Sequence, residues 1–143
     1  MILLDTNVIS ELVRHNPEPA VETFLRSQPP RSVHTASMCE AELRYGLARL
    51  PAGRRRNELA RRIVELFATA FHDRVLVFDS AAAALYGTIR TSREAAGRPI
   101  TVEDAVIAAT ARAYNVAIVT RNVGDFVGCG ARVINPWSPD AQD

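Results

Sequence analysis

Lysine is absent from this chain, and all 17 of its basic residues are arginine. That absence excludes a phosphate-binding loop of the Walker type, whose lysine reaches the phosphates, and any chemistry through a lysine Schiff base. It also weighs against an Asp-x-Asp phosphatase loop, because Asp5-Thr6-Asn7 lacks the second acid and those enzymes' lysine has no candidate here. The preference for arginine is equally accounted for by a GC-rich genome. Cysteine is scarce too. Cys39 and Cys129 stand alone without CxxC spacing, and two inert thiols are expected, although sequence by itself does not exclude a disulfide. No apolar run approaches the ~20 residues of a membrane-spanning helix. No charged segment precedes an apolar one at the start, so neither a span nor a signal peptide is expected, and the reading is a cytoplasmic protein. His15, His34 and His72 lie far apart, which leaves histidine acid–base catalysis without support.

What is present alternates between short apolar runs and amphipathic stretches, within the length of a single domain. Ile2 to Asp5 reads as a strand, and Val8, Ile9, Leu12 and Val13 recur at helical spacing after it. A second helix carries Val21, Phe24 and Leu25 and stops at Pro29-Pro30. Ser32 to Ala36 is the next strand, and Ser37 with Glu40 three residues on predicts a capping box for the helix that Pro51-Ala52-Gly53 ends. Helix is predicted from about Arg54 to Phe71 and strand from Val75 to Phe78. Asp79 and Thr101 are placed to cap two further helices. Val116 to Thr120 and Arg132 to Ile134 complete the strands. Strands separated by helical stretches imply an α/β fold, a central parallel sheet of four to five strands covered by helices on both faces.

Against that frame the informative residues are acids at strand ends and helix starts, where an open parallel sheet builds its site. Asp5 follows the first strand, and it serves equally as a cap for the next helix. Glu40 has a structural reason as the capping partner of Ser37, whereas Glu42, two residues on, lies on a different helical face without one. Asp104, three residues after Thr101, also suits the helix dipole, and Asp125 in Asn122-Val123-Gly124-Asp125 is also a turn former. Converging carboxylates with no lysine partner call for a metal.

Four segments, Leu4-Asp5-Thr6-Asn7-Val8-Ile9-Ser10, Ala41-Glu42-Leu43-Arg44-Tyr45-Gly46, Asp104-Ala105-Val106-Ile107-Ala108-Ala109 and Thr120-Arg121-Asn122-Val123-Gly124-Asp125-Phe126, stand in the order and spacing of the PIN-domain ribonucleases. The chain closely resembles the VapC-type toxins of bacterial toxin–antitoxin pairs, from Met1 to Trp137. The resemblance implies one PIN-like nuclease domain over 1–137 with a tail over 138–143. It also implies an endoribonuclease dependent on Mg²⁺, with Mn²⁺ as a substitute, that hydrolyses RNA through a metal-activated water. Asp5, Glu42 and Asp104 fall on the family's three acidic positions. At the fourth, many relatives place Asp where Asn122 stands, and others pair Asn there with an acid three residues later, as Asp125 is here. Thr6, Asn7, Thr120 and Asn122 are expected to support the ligands. A VapB-like antitoxin and a homodimer are the implied partners, with an apolar face on the Phe67 or Tyr86 helix as its support.

Seven arginines fall between Arg44 and Arg62. Of these, Arg44, Arg49, Arg54, Arg55 and Arg56 are candidates to contact RNA or the antitoxin, although Glu58 with Arg62 and Arg61 with Glu65 also suit ordinary helical ion pairs. Two alternatives stay open beside RNA cleavage: a catalytically weak PIN-like domain that binds nucleic acid or protein, and a DNA nuclease using the same acids. Intact acids favour the enzyme.

Overall fold

The computed structural model describes residues 1–138, so the tail expected over 138–143 lies, apart from Ser138, outside the described residues. Five strands, β1 (Ile2–Leu4), β2 (Val33–Ala36), β3 (Val75–Leu76), β4 (Ala117–Val119) and β5 (Val133–Ile134), form one sheet in the order β3-β2-β1-β4-β5. All pairings are parallel, with Leu4 opposite Thr35 on one side and Val119 on the other. Parallel neighbours require crossovers, supplied by α1 (Thr6–Leu12), α2 (Pro19–Arg26), α3 (Ser37–Ala48), α4 (Arg54–Ala68), α5 (Ser80–Ala95), α6 (Val102–Tyr114) and the short α7 (Val123–Phe126). Every residue of β1 and β4 is buried. Successive strand side chains point to opposite faces, so both faces are covered.

Local chemistry explains most boundaries. Asp5 caps α1 by accepting from the Thr6 N–H at 2.8 Å, Asp79 caps α5 through the Ala82 N–H at 3.0 Å, and Thr101 caps α6 through the Asp104 N–H at 3.2 Å. Asn115 ends α6 in the left-handed region with φ 53°, a conformation that asparagine tolerates. Within the described residues, no helix is long and apolar enough to cross a membrane.

Three boundaries differ from expectation. The capping box of Ser37 and Glu40 does not form: Ala36 takes the cap position with no side-chain bond, and Glu40 instead binds Arg44 at 2.8 Å. α4 stops at Ala68, and Phe71 reaches the core from the following turn, 1% exposed. β3 pairs only at Val75 and Leu76, leaving Val77 and Phe78 exposed beyond the ladder. An edge strand with one neighbour is held only as far as its partner runs, and β2 ends at Ala36, opposite Leu76. Phe67 and Tyr86 are partly buried against the core, so the apolar face expected on their helices is not made by them. Cys39 and Cys129 are both free and buried.

Candidate active site

The strand order reverses direction at β1: the chain steps from β1 to β2 and β3 on one side and returns to β4 and β5 on the other. Crevices at the carboxyl ends of strands beside such a switch are where open sheets bind ligands. Asp5 is the first residue past β1, its N–H donating to Val119 O across the switch at 2.9 Å. Its carboxylate accepts from the Thr6 N–H and, at Oδ2, from Thr120 Oγ1 at 2.8 Å and Asn7 Nδ2 at 3.4 Å. The cap and site readings of Asp5 are therefore compatible, since one oxygen starts α1 while the other faces β4. Asn7 also donates to Thr120 Oγ1 at 3.2 Å and accepts from the Arg121 N–H at 3.2 Å, and the Asn122 N–H donates to Thr120 Oγ1 at 3.1 Å. These bonds tie the end of β4 to the start of α1.

Asp5, Glu42, Asp104, Asn122 and Asp125 open onto one cavity of about 440 Å³, together with Thr6 and Asn7. Burial pushes the Asp5 carboxyl above its ordinary range; bonds from Thr120 and Thr6 offset part of this, and the charge of Asp125 adds to it. Burial likewise carries Glu42 up to about 7, reinforced by the charges of Asp5 and Asp104, and carries Asp104 up to about 6, reinforced by Asp5 and Asp125. Thr6 offsets part of the Glu42 shift by its closeness. Their contact still falls short of a well-formed bond, and among the described residues Thr6 Oγ1 and Glu42 Oε1 are both buried without a partner. Such orphaned groups are rare and costly in a folded protein.

Sequence reasoning missed three contributors. Glu11, 6% exposed, also lines this cavity, where Arg14 binds it at 3.2 Å and the Glu18 N–H at 2.7 Å. Cys39 Sγ donates to Asp5 Oδ1 at 3.9 Å, and burial pushes the thiol up to about 12, so it stays protonated. Arg93 is 5% exposed on α5 and donates to Arg98 O at 2.7 Å, Gly124 O at 3.4 Å and Val127 O, fixing the segment that bears Asp125. Burial of these three followed from the fold; only Glu11, in register with Val8 on α1, carried a readable helical signal.

The arginine-rich stretch divides. Arg44 is held by Glu40 and lies over the Phe67 ring at 5.9 Å, and Arg49 lies over Tyr45 at 5.6 Å. Arg62 pairs with Glu58 as its spacing predicted. Arg54 borders a separate depression, Arg56 is half-buried, and Arg55 borders a cavity next to the acids. None of the three histidines lines the acid cavity.

The donor set suits a hard cation, being oxygen throughout, with an orphaned buried carboxylate oxygen and mutual repulsion that a positive charge would relieve. Among the described residues, no three acidic, histidine or cysteine side chains are grouped closely enough to enclose an ion by themselves. An ion such as Mg²⁺ does not require that, since it keeps several waters and takes one or two carboxylates plus substrate oxygens.

Comparison with known proteins bears on this geometry. The sequence model of the PIN domain matches residues 2–126. The chain is 39% identical over 137 residues to "Toxin FitB" of Neisseria gonorrhoeae, covering 96% of this chain and 99% of that one. It is 39% identical over 139 residues to "VapC ribonuclease Y4jK" of Sinorhizobium fredii, covering 97% and 99%. The crystal structure of FitAcB from Neisseria gonorrhoeae contains a chain that superposes with a TM-score of 0.89 at 39% identity, covering 96% of this chain and 99% of that one.

Proposed function

This chain belongs to the PIN-domain family, and from that premise we propose that it is a divalent-cation-dependent endoribonuclease, the toxic member of a toxin–antitoxin pair. The observation that carries the reading is the acid cavity, onto which Asp5, Glu42, Asp104 and Asp125 open together, with the carboxyls of Asp5, Glu42 and Asp104 pushed above their ordinary range by burial. Similarity to chains named a ribonuclease and a toxin supports RNA as the substrate. The likeness to a chain crystallised within FitAcB supports a partner protein, a cognate antitoxin of the VapB kind. A homodimer belongs to the same reading, with Val77 and Phe78 as exposed apolar surface for it to cover.

Asp5, Glu42 and Asp104 would hold Mg²⁺ or Mn²⁺, with Asp125 completing the set, and the ion would supply an activated water and neutralise charge on the phosphate. The chain's own residues do the positioning. Thr120 and Asn7 fix the Asp5 carboxylate by direct hydrogen bonds, so its orientation does not depend on the substrate. Without the ion, burial and the charges of Asp5 and Asp104 carry Glu42 up to about 7, and a cation bound there would favour its ionised form. Arg93 holds α7 so that Asp125 remains at the cavity mouth. The test is cleavage of structured RNAs and single-stranded DNA by the purified protein with Mg²⁺, with Mn²⁺ and with EDTA, beside Asp5→Asn. RNA cleavage that requires the metal and disappears in Asp5→Asn is expected. Equal cutting of DNA would redirect the assignment, and no cutting by the folded protein would favour the binding-domain alternative.

A further inference from the structure

A second cavity, of about 550 Å³, adjoins the acid cavity and shares Thr6, Ser10, Arg14 and Glu42 with it. Its lining is different in kind. Leu43, Leu47, Leu59 and Ile63 from α3 and α4 form an apolar floor, buried or half-buried. Arg14, His15, Arg55 and Arg62 stand at its edge. Arg62 is committed to Val13 O and Glu58, and Arg14 is tethered to Glu11, whereas Arg55 is exposed and makes no ion pair among the described residues.

Gly46, in the last turn of α3, also lines this cavity. It has no positive φ, and a Cβ placed there would meet no atom within 4 Å. Neither backbone nor internal packing calls for glycine at that point, where it is a poor helix former. What its small size does is leave the cavity open.

We propose that this cavity is a nucleotide subsite, receiving one unstacked base of single-stranded RNA next to the phosphodiester held at the acids. The identity of the polymer rests on the ribonuclease reading above. A strand whose phosphate lies at the acids must lay its neighbouring nucleotide in an adjoining depression, and this one is continuous with them through Thr6 and Glu42. Its volume is in the range of small-ligand pockets. Extruded bases are held between apolar side chains and stack on guanidinium planes, and this cavity offers both surfaces beside the carboxylates of Glu42 and Glu58. Arg55 offsets part of the repulsion that the unpaired carboxylates of the acid cavity exert on an approaching RNA backbone. His15 is engaged by Arg62 and Glu58, whereas Asn16, which also lines the cavity, offers hydrogen bonds to a base edge and so a preference among bases. A peptide segment is the competing occupant, but the exposed Arg55 and continuity with the acids favour a nucleotide.

Methyl NMR of the full chain, titrated with a short single-stranded RNA in EDTA so that nothing is cut, tests this directly. The Leu43, Leu47 and Leu59 methyls are expected to shift first. Gly46→Leu, which fills the cavity while favouring helix, should bind the RNA about tenfold more weakly, the order of one lost base contact, with an undiminished Tm. Arg55→Ala should weaken it by about threefold and steepen no other change. Methyls that stay silent toward RNA, or respond only to a peptide, would overturn the subsite, as would undiminished RNA binding by folded Gly46→Leu. The two proposals separate cleanly: RNA seated on these methyls with no cleavage in Mg²⁺ keeps the subsite and removes the nuclease, and full RNA cleavage by Gly46→Leu does the reverse.

Discussion

Glu11 and Glu42 line the same cavity and are kept there in opposite ways. Glu11 has both oxygens engaged, Oε1 with the Glu18 N–H at 2.7 Å and Oε2 with Arg14 at 3.2 Å, so it fastens α1 to the start of α2. Glu42 has an oxygen that is buried and unbonded, and burial and the charge of Asp5 push its pKa up to about 7. A carboxylate's role thus depends on what complements it, more than on which cavity it faces. Glu11 is satisfied by the protein itself; Glu42 keeps one buried oxygen that no group among the described residues bonds, open to a proton or a cation.

The sharpest way to break this contrast is to neutralise each carboxylate in turn. Asp104→Asn and Glu42→Gln are expected to lower RNA cleavage by about a hundredfold or more, beyond what loss of a metal site's supporting contacts costs. Both should leave the metal-free fold at least as stable at neutral pH, because the charge removed is one that burial opposes. Single-turnover cleavage and thermal melting of the same samples give both numbers. A folded Glu42→Gln that cuts at the parent rate would dissolve the distinction from Glu11.

Acidity sharpens it further. Glu42 moves from an ordinary 4.5 to about 7 and Asp104 from 3.8 to about 6, so between those values each carboxyl holds its proton longer folded than unfolded. Their contribution to stability is whole below the ordinary pKa and is lost as pH rises through the folded one. In EDTA, melting across this window should show a fall toward neutral pH that is shallower in Glu42→Gln. Mg²⁺ should restore the loss in the parent, since a ligand of the folded state alone stabilises it. Identical slopes for parent and variant would contradict the raised pKa of Glu42.

How far the sequence foretold this site can be read from the same residues. Parallel β1, β2 and β4 were legible because apolar runs too short for helices alternated with amphipathic ones. The approach of Asp5, Glu42, Asp104 and Asp125 to one cavity was legible because strand ends and helix starts of such a sheet converge. Sequence separates Glu42 from Glu40 by a capping box that does not form: Glu40 is occupied by Arg44 four residues on, not by Ser37. Local pattern offered both partners and could not rank them. The carbonyls bound by Arg93 and the contact of Cys39 with Asp5 join distant segments, and no local pattern encodes them.

Glu11→Ala probes the satisfied member of the pair. It strips the Glu18 N–H and Arg14 of their acceptor, and a loss of about 1–3 kcal/mol in stability is expected from the unpaired groups. Cleavage at a temperature where the variant is folded should fall by less than about tenfold, well short of the effect at a metal ligand. Chemical denaturation beside cleavage separates the two effects, and a large loss of turnover with unchanged stability would place Glu11 among the working acids.

The smallest effect belongs to Glu40→Gln, two residues from Glu42 on the same helix. Glu40 and Arg44 form an i,i+4 pair with the arginine side chain 52% exposed, and the contact of Arg44 with Phe67 does not involve the carboxylate that the substitution removes. An exposed pair of this kind contributes about 0.3–0.5 kcal/mol. Since Glu40 does not line the acid cavity, turnover should stay within about twofold, the level at which a surface pair's loss is felt. The pairing explains why one helix can carry two glutamates so close together with only one of them strained: the first has a cation four residues along its own face, and the charges beside the second are those of other carboxylates. If Glu40→Gln reduced cleavage as strongly as Glu42→Gln, the partner would not be what decides, and position on α3 alone would.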